Sequence, residues 1–220
     1  MKVLLLSDIH GNLENLEKIF YREDDFDAAL CAGDLSDSSK FENYERRLQR
    51  VLKIFDKHRK LVKMVPGNMD EEEVCIKNLL DYRMNLHKDE ASFNGFEAIG
   101  FGGGITPFDT PFEPEEDEIV STLEILYERM GSGKKFAVVH QPPYGLTVDI
   151  TDGNHVGSQK LRKLYERKKF DLILTGHIHE GRSIDKVNGA VIINPGSVDE
   201  GYYGIAEVSD EGVEATLKSL

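Results

Sequence analysis

Cysteine is scarce in this chain: Cys31 and Cys75 are the only two in 220 residues, too few for a disulfide framework. Cys31 lies inside an apolar run, as a reduced core thiol does. Cations are also in short supply. Lys and Arg number 27 against 40 Asp and Glu, a formal net charge of −13. That balance excludes a broad nucleic-acid surface, because non-specific affinity for phosphate backbones comes from clustered basic groups. A small phosphorylated substrate stays compatible, since bound metals supply positive charge locally. Long hydrophobic runs are missing as well. Residues 3–6 form a run far too short for a signal peptide or a membrane span. No low-complexity segment and no long linker interrupts the chain. The expectations are a cytoplasmic location, no membrane partner and one domain over residues 1–220. Nothing in the pattern specifies an oligomeric state.

The chain does carry short apolar runs alternating with amphipathic segments. Residues 3–6, 28–32 and 61–65 read as buried strands. Between them, Leu13, Leu16, Ile19 and Phe20 recur at helical spacing, with Asn12 placed as a cap, and so do Phe41, Tyr44, Leu48, Val51, Leu52 and Phe55. This β-α-β-α-β pattern predicts parallel strands with crossover helices. A helix is expected over 74–80, a hairpin at Asn94-Gly95, and a helix carrying Ile119, Leu123, Leu126 and Met130. The second half repeats the plan, with strands at 136–139 and 172–174 and a helix capped by Ser158. Segments 190–193, 203–208 and 213–217 are expected as closing antiparallel strands. The fold class is α/β, with two stacked sheets flanked by helices.

Polar residues follow the strands. Asp8-Ile9-His10, Gly33-Asp34, Gly67-Asn68, His140 and Gly176-His177-Ile178-His179 each come just after an apolar run, and open α/β sheets bind ligands at the carboxyl edge of their strands. Taken singly, each has an ordinary explanation: a turn former, a helix cap, a structural histidine. Together they offer imidazoles, carboxylates and one amide oxygen, a donor set suited to a pair of first-row divalent ions. If the chain stays extended, Asp8 and His10, two apart, point to one side and reach one ion. The pair His177 and His179 repeats that spacing. Asp34, on a tight turn, is placed to bridge two cations. Two-metal sites most often hydrolyse phosphate esters.

The ordered set Asp-x-His, Gly-Asp, Gly-Asn, His and Gly-His-x-His resembles the calcineurin-like metallophosphoesterases from Lys2 to about Gly196, and Asn194-Pro195-Gly196-Ser197 resembles that family's closing loop. The resemblance implies a four-layer α/β/β/α sandwich. It implies that Asp8, His10 and His179 bind one metal and Asn68, His140 and His177 the other. Asp34 then bridges them, together with a water or hydroxide. Manganese, iron, cobalt, nickel and zinc all suit such a site. The family's Gly-Asn-His reads Gly67-Asn68-Met69-Asp70 here, as in a smaller prokaryotic branch with Gly-Asn-x-Asp, for which phosphodiesterase activity is the usual inference. Methionine cannot donate a proton. Asp70 is expected to orient its loop, and His10 and His155 are the candidate proton donors. Asn68 and His155 are the candidate substrate contacts, with His10 and Asn68 the candidate catalytic residues. His58 and His87 are expected to be solvated.

The leading expectation is a dinuclear-metal phosphodiesterase acting on a small phosphate ester. Two alternatives stand beside it. One is a phosphomonoesterase or protein phosphatase using Arg182 as an extra cation. The other is a non-catalytic scaffold of the same fold. Loops 106–114 and 149–158 are the candidate determinants of substrate choice.

Overall fold

In the computed structural model, which describes residues 1–37, 39 and 43–220, the first half runs β1 (Lys2–Leu6), α1 (Leu13–Arg22), β2 (Ala28–Cys31), α2 (Tyr44–Lys57), β3 (Leu61–Met64), α3 (Glu72–Asp81), β4 (Asp89–Phe93) and β5 (Phe96–Phe101). The second half runs α4 (Glu116–Tyr127), β6 (Lys134–Val139), β7 (Ile150–Thr151), β8 (Asn154–His155), α5 (Gln159–Arg167), β9 (Leu172–Leu174), β10 (Ser183–Val187), β11 (Ala190–Asn194), β12 (Tyr202–Ser209) and β13 (Gly212–Ser219). Helix starts follow their caps. Asn12 accepts from the Asn15 amide at 3.0 Å and Ser158 from the Leu161 amide at 2.9 Å, which satisfies N–H groups that have no partner in the helix.

Two mixed sheets result, ordered β13-β12-β1-β2-β3 and β10-β11-β9-β6-β5-β4. The strands at the centre of each sheet are hydrophobic throughout because both of their faces are covered. On β1, Leu4 and Leu6 face the α1–α2–α3 side and pack with Leu16, Ile19, Leu48 and Leu79. Val3 and Leu5 face inward and pack against Phe136, Val138, Leu172 and Leu174 of the other sheet. That sheet's outer face, with Ile99, Ala137 and Ile173, is covered by Ile119 and Leu123 of α4 and Leu161 and Leu164 of α5. Three cores make four layers, helix–sheet–sheet–helix. Each fully buried Leu on these faces contributes about 1.5–3 kcal/mol.

Strands β1, β2 and β3 are mutually parallel, as are β5, β6, β9 and β11. Their carboxyl ends carry the polar segments.

The pairing corrects three expectations. Residues 190–193 are not a simple antiparallel closing strand, because β11 runs parallel to β9 and antiparallel only to β10. Strand β10 was not anticipated; four of its five residues are partly or fully exposed, so it lacks the apolar signature of its neighbours. Segment 149–158 is not plain loop but holds the β7–β8 ribbon. Met130 lies beyond the end of α4, and Phe41, assigned to the second helix, lies outside the described residues. No helix among the described residues is long and apolar enough to cross a membrane.

Candidate metal centre

The loops after β1, β2 and β3 are knitted together by backbone hydrogen bonds. The Asp8 amide donates to the Gly33 carbonyl (3.0 Å) and the His10 amide to the Asp34 carbonyl (2.8 Å). Gly33 and Gly67 let two of these loops cross in contact. A Cβ on Gly33 would sit 2.7 Å from Gly67 Cα, and one on Gly67 would sit 2.0 Å from Asp34 Oδ1. No side chain fits in either place.

The extended-chain reason for pairing Asp8 with His10 does not hold. Asp8, His10, Asp34 and His177 have φ of 54°, 48°, 49° and 69°, a left-handed conformation that costs a non-glycine residue about 1–2 kcal/mol. Such strain persists only where surrounding contacts impose it, and it gathers at functional sites. Here it turns each side chain inward.

The side chains form an unbroken series of contacts. His179 Nε2 is 3.4 Å from Asp8 Oδ1 and 3.3 Å from His10 Nε2. His10 Nε2 is 3.8 Å, and His140 Nε2 3.5 Å, from Asp34 Oδ2. Asn68 Oδ1 then lies 3.0 Å from His140 Nε2 and 2.8 Å from His177 Nδ1. The other oxygen of Asp34 accepts from the Met69 amide at 2.8 Å, which sets the angle of the carboxylate. The His177 amide donates to the Asp8 carboxylate at 3.2 Å.

The electrostatics expose what this cluster is built for. Burial keeps His140 below the ordinary imidazole range, and burial with the neighbouring His140 pushes His177 down to about 3, so both are neutral. His140 bonds through Nδ1 to the Ala32 carbonyl, so that nitrogen carries the proton and Nε2 presents a lone pair. That lone pair faces Asn68 Oδ1, acceptor against acceptor, with Asp34 Oδ2 3.5 Å away. A divalent cation among them turns this repulsion into ligation.

Asp34 is driven well up by burial and by the charges of Asp8 and Asp70. Burial also acts upward on Asp8, but the hydrogen bond from His179 and the imidazole charges outweigh it and hold Asp8 below the usual carboxylate range. The bond to Asp8 lifts His179 to about 9. Two groups with metal-ligand spacing stand out among the described residues, Asp8–His10–His179 and Asp8–Asp34–His140, each with donor atoms within 4.8 Å of one another. The donor set fits divalent ions.

Of the cluster, His10, Asp34, Asn68, His177 and His179 floor a cavity of about 880 Å³, and Asp8 and His140 lie buried behind them. Met69 and, from loop 106–114, Thr106, Pro107, Phe108 and Thr110 line it, so that loop is a rim of the site. Glu113 holds the rim in shape, accepting from the Thr110 amide at 2.7 Å and from the Thr106 hydroxyl. Asp70 is fully buried and accepts from the amides of Leu35, Ser36 and Gly67 at 3.0, 3.0 and 2.8 Å, which is the loop-orienting role expected of it. Ser197, in the closing loop, donates to the Asp8 carbonyl at 2.8 Å.

Other expected residues lie elsewhere. His155 does not line the cavity; its Nδ1 is 2.8 Å from the buried Asp149, which also accepts from the amides of Gly145, Leu146 and Gly157. Arg182 stacks 4.5 Å over the Tyr202 ring and donates to the Lys218 carbonyl, away from the cavity wall. His87 is buried, not solvated: Nδ1 accepts from the Gly102 amide at 2.9 Å and the ring packs edge-on against Phe101 and Phe112. His58 is half-buried and stacks on Phe20. Gln141 was missed; its Oε1 accepts from the Ile105 amide at 2.7 Å and anchors the rim. Its only sequence signal was adjacency to His140.

A strand-end cluster of imidazoles and carboxylates on a four-layer frame defines a metal-dependent hydrolase of phosphoesters. The comparisons agree. The calcineurin-like phosphoesterase family matches residues 1–181, and the chain belongs to that family. An uncharacterized protein of Methanocaldococcus jannaschii is 32% identical over 201 residues, covering 89% of this chain and 88% of its own. The crystal structure of TT1561 of Thermus thermophilus superposes with a TM-score of 0.80 at 20% identity, covering 98% of this chain and 97% of that one. A 5'-nucleotidase from Candida albicans shares the fold at a TM-score of 0.61 and 12% identity, over 99% of this chain and 51% of that chain.

Proposed function

We propose that this protein is a phosphodiesterase with two divalent ions. Asp8, His10 and His179 would hold one ion, Asn68, His140 and His177 the other, and Asp34 would serve both. The reading rests most on the lone pair of His140 Nε2 directed at the Asn68 Oδ1 acceptor, 3.0 Å away, beside the shared Asp34. When bound, the ions supply Lewis-acid polarisation of the phosphate and activation of water.

The chain's own groups do the rest. Asp70 and the Gly33–Gly67 crossing fix the spacing between Asp34 and Asn68. Asn68 orients the substrate's phosphate, and His10, partly exposed at the cavity floor, would serve as proton donor only with its ring not committed to the ion. A preference for diesters is supported by Met69, which has no proton to give, and by the direction of Arg182. Among the described residues no Lys or Arg lines the cavity, so a dianionic monoester finds no extra cation. Two buried free thiols, Cys31 and Cys75, accord with a cytoplasmic location.

The test is hydrolysis of an aryl phosphodiester and its matched monoester with added manganese, cobalt or nickel. The expected result is a diester preference, lost in Asp34→Asn and His177→Ala. A folded, metal-saturated wild type inert toward a broad ester panel overturns the reading, and a clear monoester preference overturns its diester part.

A further inference from the structure

Beyond the metal-binding floor, the cavity wall has a composition the hydrolytic reading leaves unexplained. Met69, Ile105, Pro107, Phe108, Val156 and Ile178 contribute to it from separate segments of the chain. Phe108 is 80% exposed, Val156 42% and Ile105 38%. Apolar groups left in water and gathered on one concavity mark a surface that something covers. The rim is pinned by Glu113 and Gln141, so the apolar surface is presented by a braced loop.

Charge narrows what fits. Among the described residues the imidazoles on the lining are His10, His177 and His179, all given to the metal centre in the reading above. The remaining ionisable groups on the lining, apart from Asp34, are the carboxylates Asp37, Glu180 and Glu200. One phosphate is served by the ions. A second anionic group on the same molecule would meet carboxylates and hydrocarbon, with no cation among the described lining residues to replace its lost hydration. An aromatic or aliphatic group would instead bury itself against Phe108, Ile105 and Val156 and gain about 25 cal/mol for each Å² removed from water.

We infer that the wall selects phosphodiesters with a single negative charge and an uncharged apolar or aromatic substituent, and rejects esters bearing a second phosphate or a carboxylate. This rests on the phosphodiesterase reading for the position of the phosphate. It goes further in naming the substituent and the residues that choose it: Phe108 and Ile105 by contact, Glu180 by repulsion.

The test uses binding and turnover side by side on manganese-loaded protein. Three diester mimics are titrated calorimetrically: phenyl, ethyl and 3-carboxyphenyl methylphosphonate, the last carrying a second negative charge on the ring. The phenyl ester is expected to bind about tenfold more tightly than the ethyl ester and about tenfold more tightly than the carboxyphenyl ester. Phe108→Ser should weaken phenyl binding more than ethyl binding and so close the phenyl–ethyl gap. Phe108 is exposed, so the substitution does not disturb the core. Glu180→Gln should narrow the carboxylate penalty. Equal binding of all three mimics overturns the inference, as does a Phe108→Ser loss that is the same for phenyl and ethyl. If the expected binding order appears while aryl ethyl phosphodiester is not hydrolysed, the substituent preference stands and the hydrolytic reading falls.

Discussion

Tyr44 donates its hydroxyl proton to Asp70 Oδ1 across 2.8 Å, joining a helix of the outer layer to a carboxylate that no solvent reaches. Asp70 in turn holds the amides of Leu35, Ser36 and Gly67. One side chain thereby sets the distance between the loop of Asp34 and the loop of Asn68, and α2 holds that side chain in place.

Asp70→Asn should therefore be costly. An amide keeps one acceptor oxygen and turns an NH2 toward backbone donors, leaving buried N–H groups unsatisfied at about 1–3 kcal/mol each. A loss of about 2–4 kcal/mol is expected from urea unfolding, with weaker manganese binding by calorimetry. Tyr44→Phe removes the hydroxyl's bonds to Asp70 and to the Cys75 thiol but leaves the backbone amides satisfied, and should cost about 1 kcal/mol. Equal effects of the two variants would show that the carboxylate is not the hub.

Gly67→Ala tests the loop crossing directly. The added Cβ would fall 2.0 Å from Asp34 Oδ1 and 2.2 Å from the Asp34 amide nitrogen, and the backbone atom cannot swing away. A shift of about 1 Å at a reacting centre costs about 100-fold, so turnover of an aryl phosphodiester should fall at least that far. Overpacking should cost about 1–3 kcal/mol, read by urea unfolding. Wild-type rates in the alanine variant would sink this account of the turn.

Metal removal should be visible in stability as well as activity. The cluster gathers two carboxylates and four imidazoles, and the neutral His140 turns its lone pair toward the Asn68 oxygen where a cation would sit. Free metal at about 100 times its dissociation constant adds about 2.7 kcal/mol, a rise in Tm of roughly 5–10 °C for a chain of this size. Thermal scans of chelator-treated and manganese-reloaded protein measure it. His140→Ala should flatten the response.

His87 gives the fold an acid limit away from the metal centre. Burial, and then the charge of Lys88, pushes its imidazole down to about 3 from an ordinary value of 6.5. A histidine with a depressed folded pKa contributes stability that is present above the unfolded pKa and is lost as pH falls from about 6.5 toward 3. Between pH 7.5 and 5 the loss attributable to this residue is about 2 kcal/mol. His87→Gln keeps an acceptor for the Gly102 amide and removes the titration, so its stability curve should be flatter than wild type over that range. Parallel curves would refute the assignment.

Legibility differed by feature. Buried strands such as β1 and β2 were readable because both faces are covered and the apolar run is continuous. The donor residues were readable because each follows such a run. The conformation that aims them was not: positive φ at Asp8, His10, Asp34 and His177 is imposed by loop-to-loop bonds between distant segments. His87 read as solvated because it stood beside a polar helix end, whereas its environment comes from Phe101, Gly102 and Phe112. Edge strand β10 escaped notice since half-exposed strands carry a mixed pattern. The apolar cavity wall is assembled from short pieces, none of which is distinctive alone.

Strand β12 lies against β1, with Leu4 opposite Ile205 and Leu5 opposite Gly204, and Ser197 holds the carbonyl of Asp8. During synthesis, every donor side chain has left the ribosome once His179 emerges, yet β1 still has an open edge and Asp8 lacks its tether. The seat of Asp8 is thus completed only when the last strands arrive.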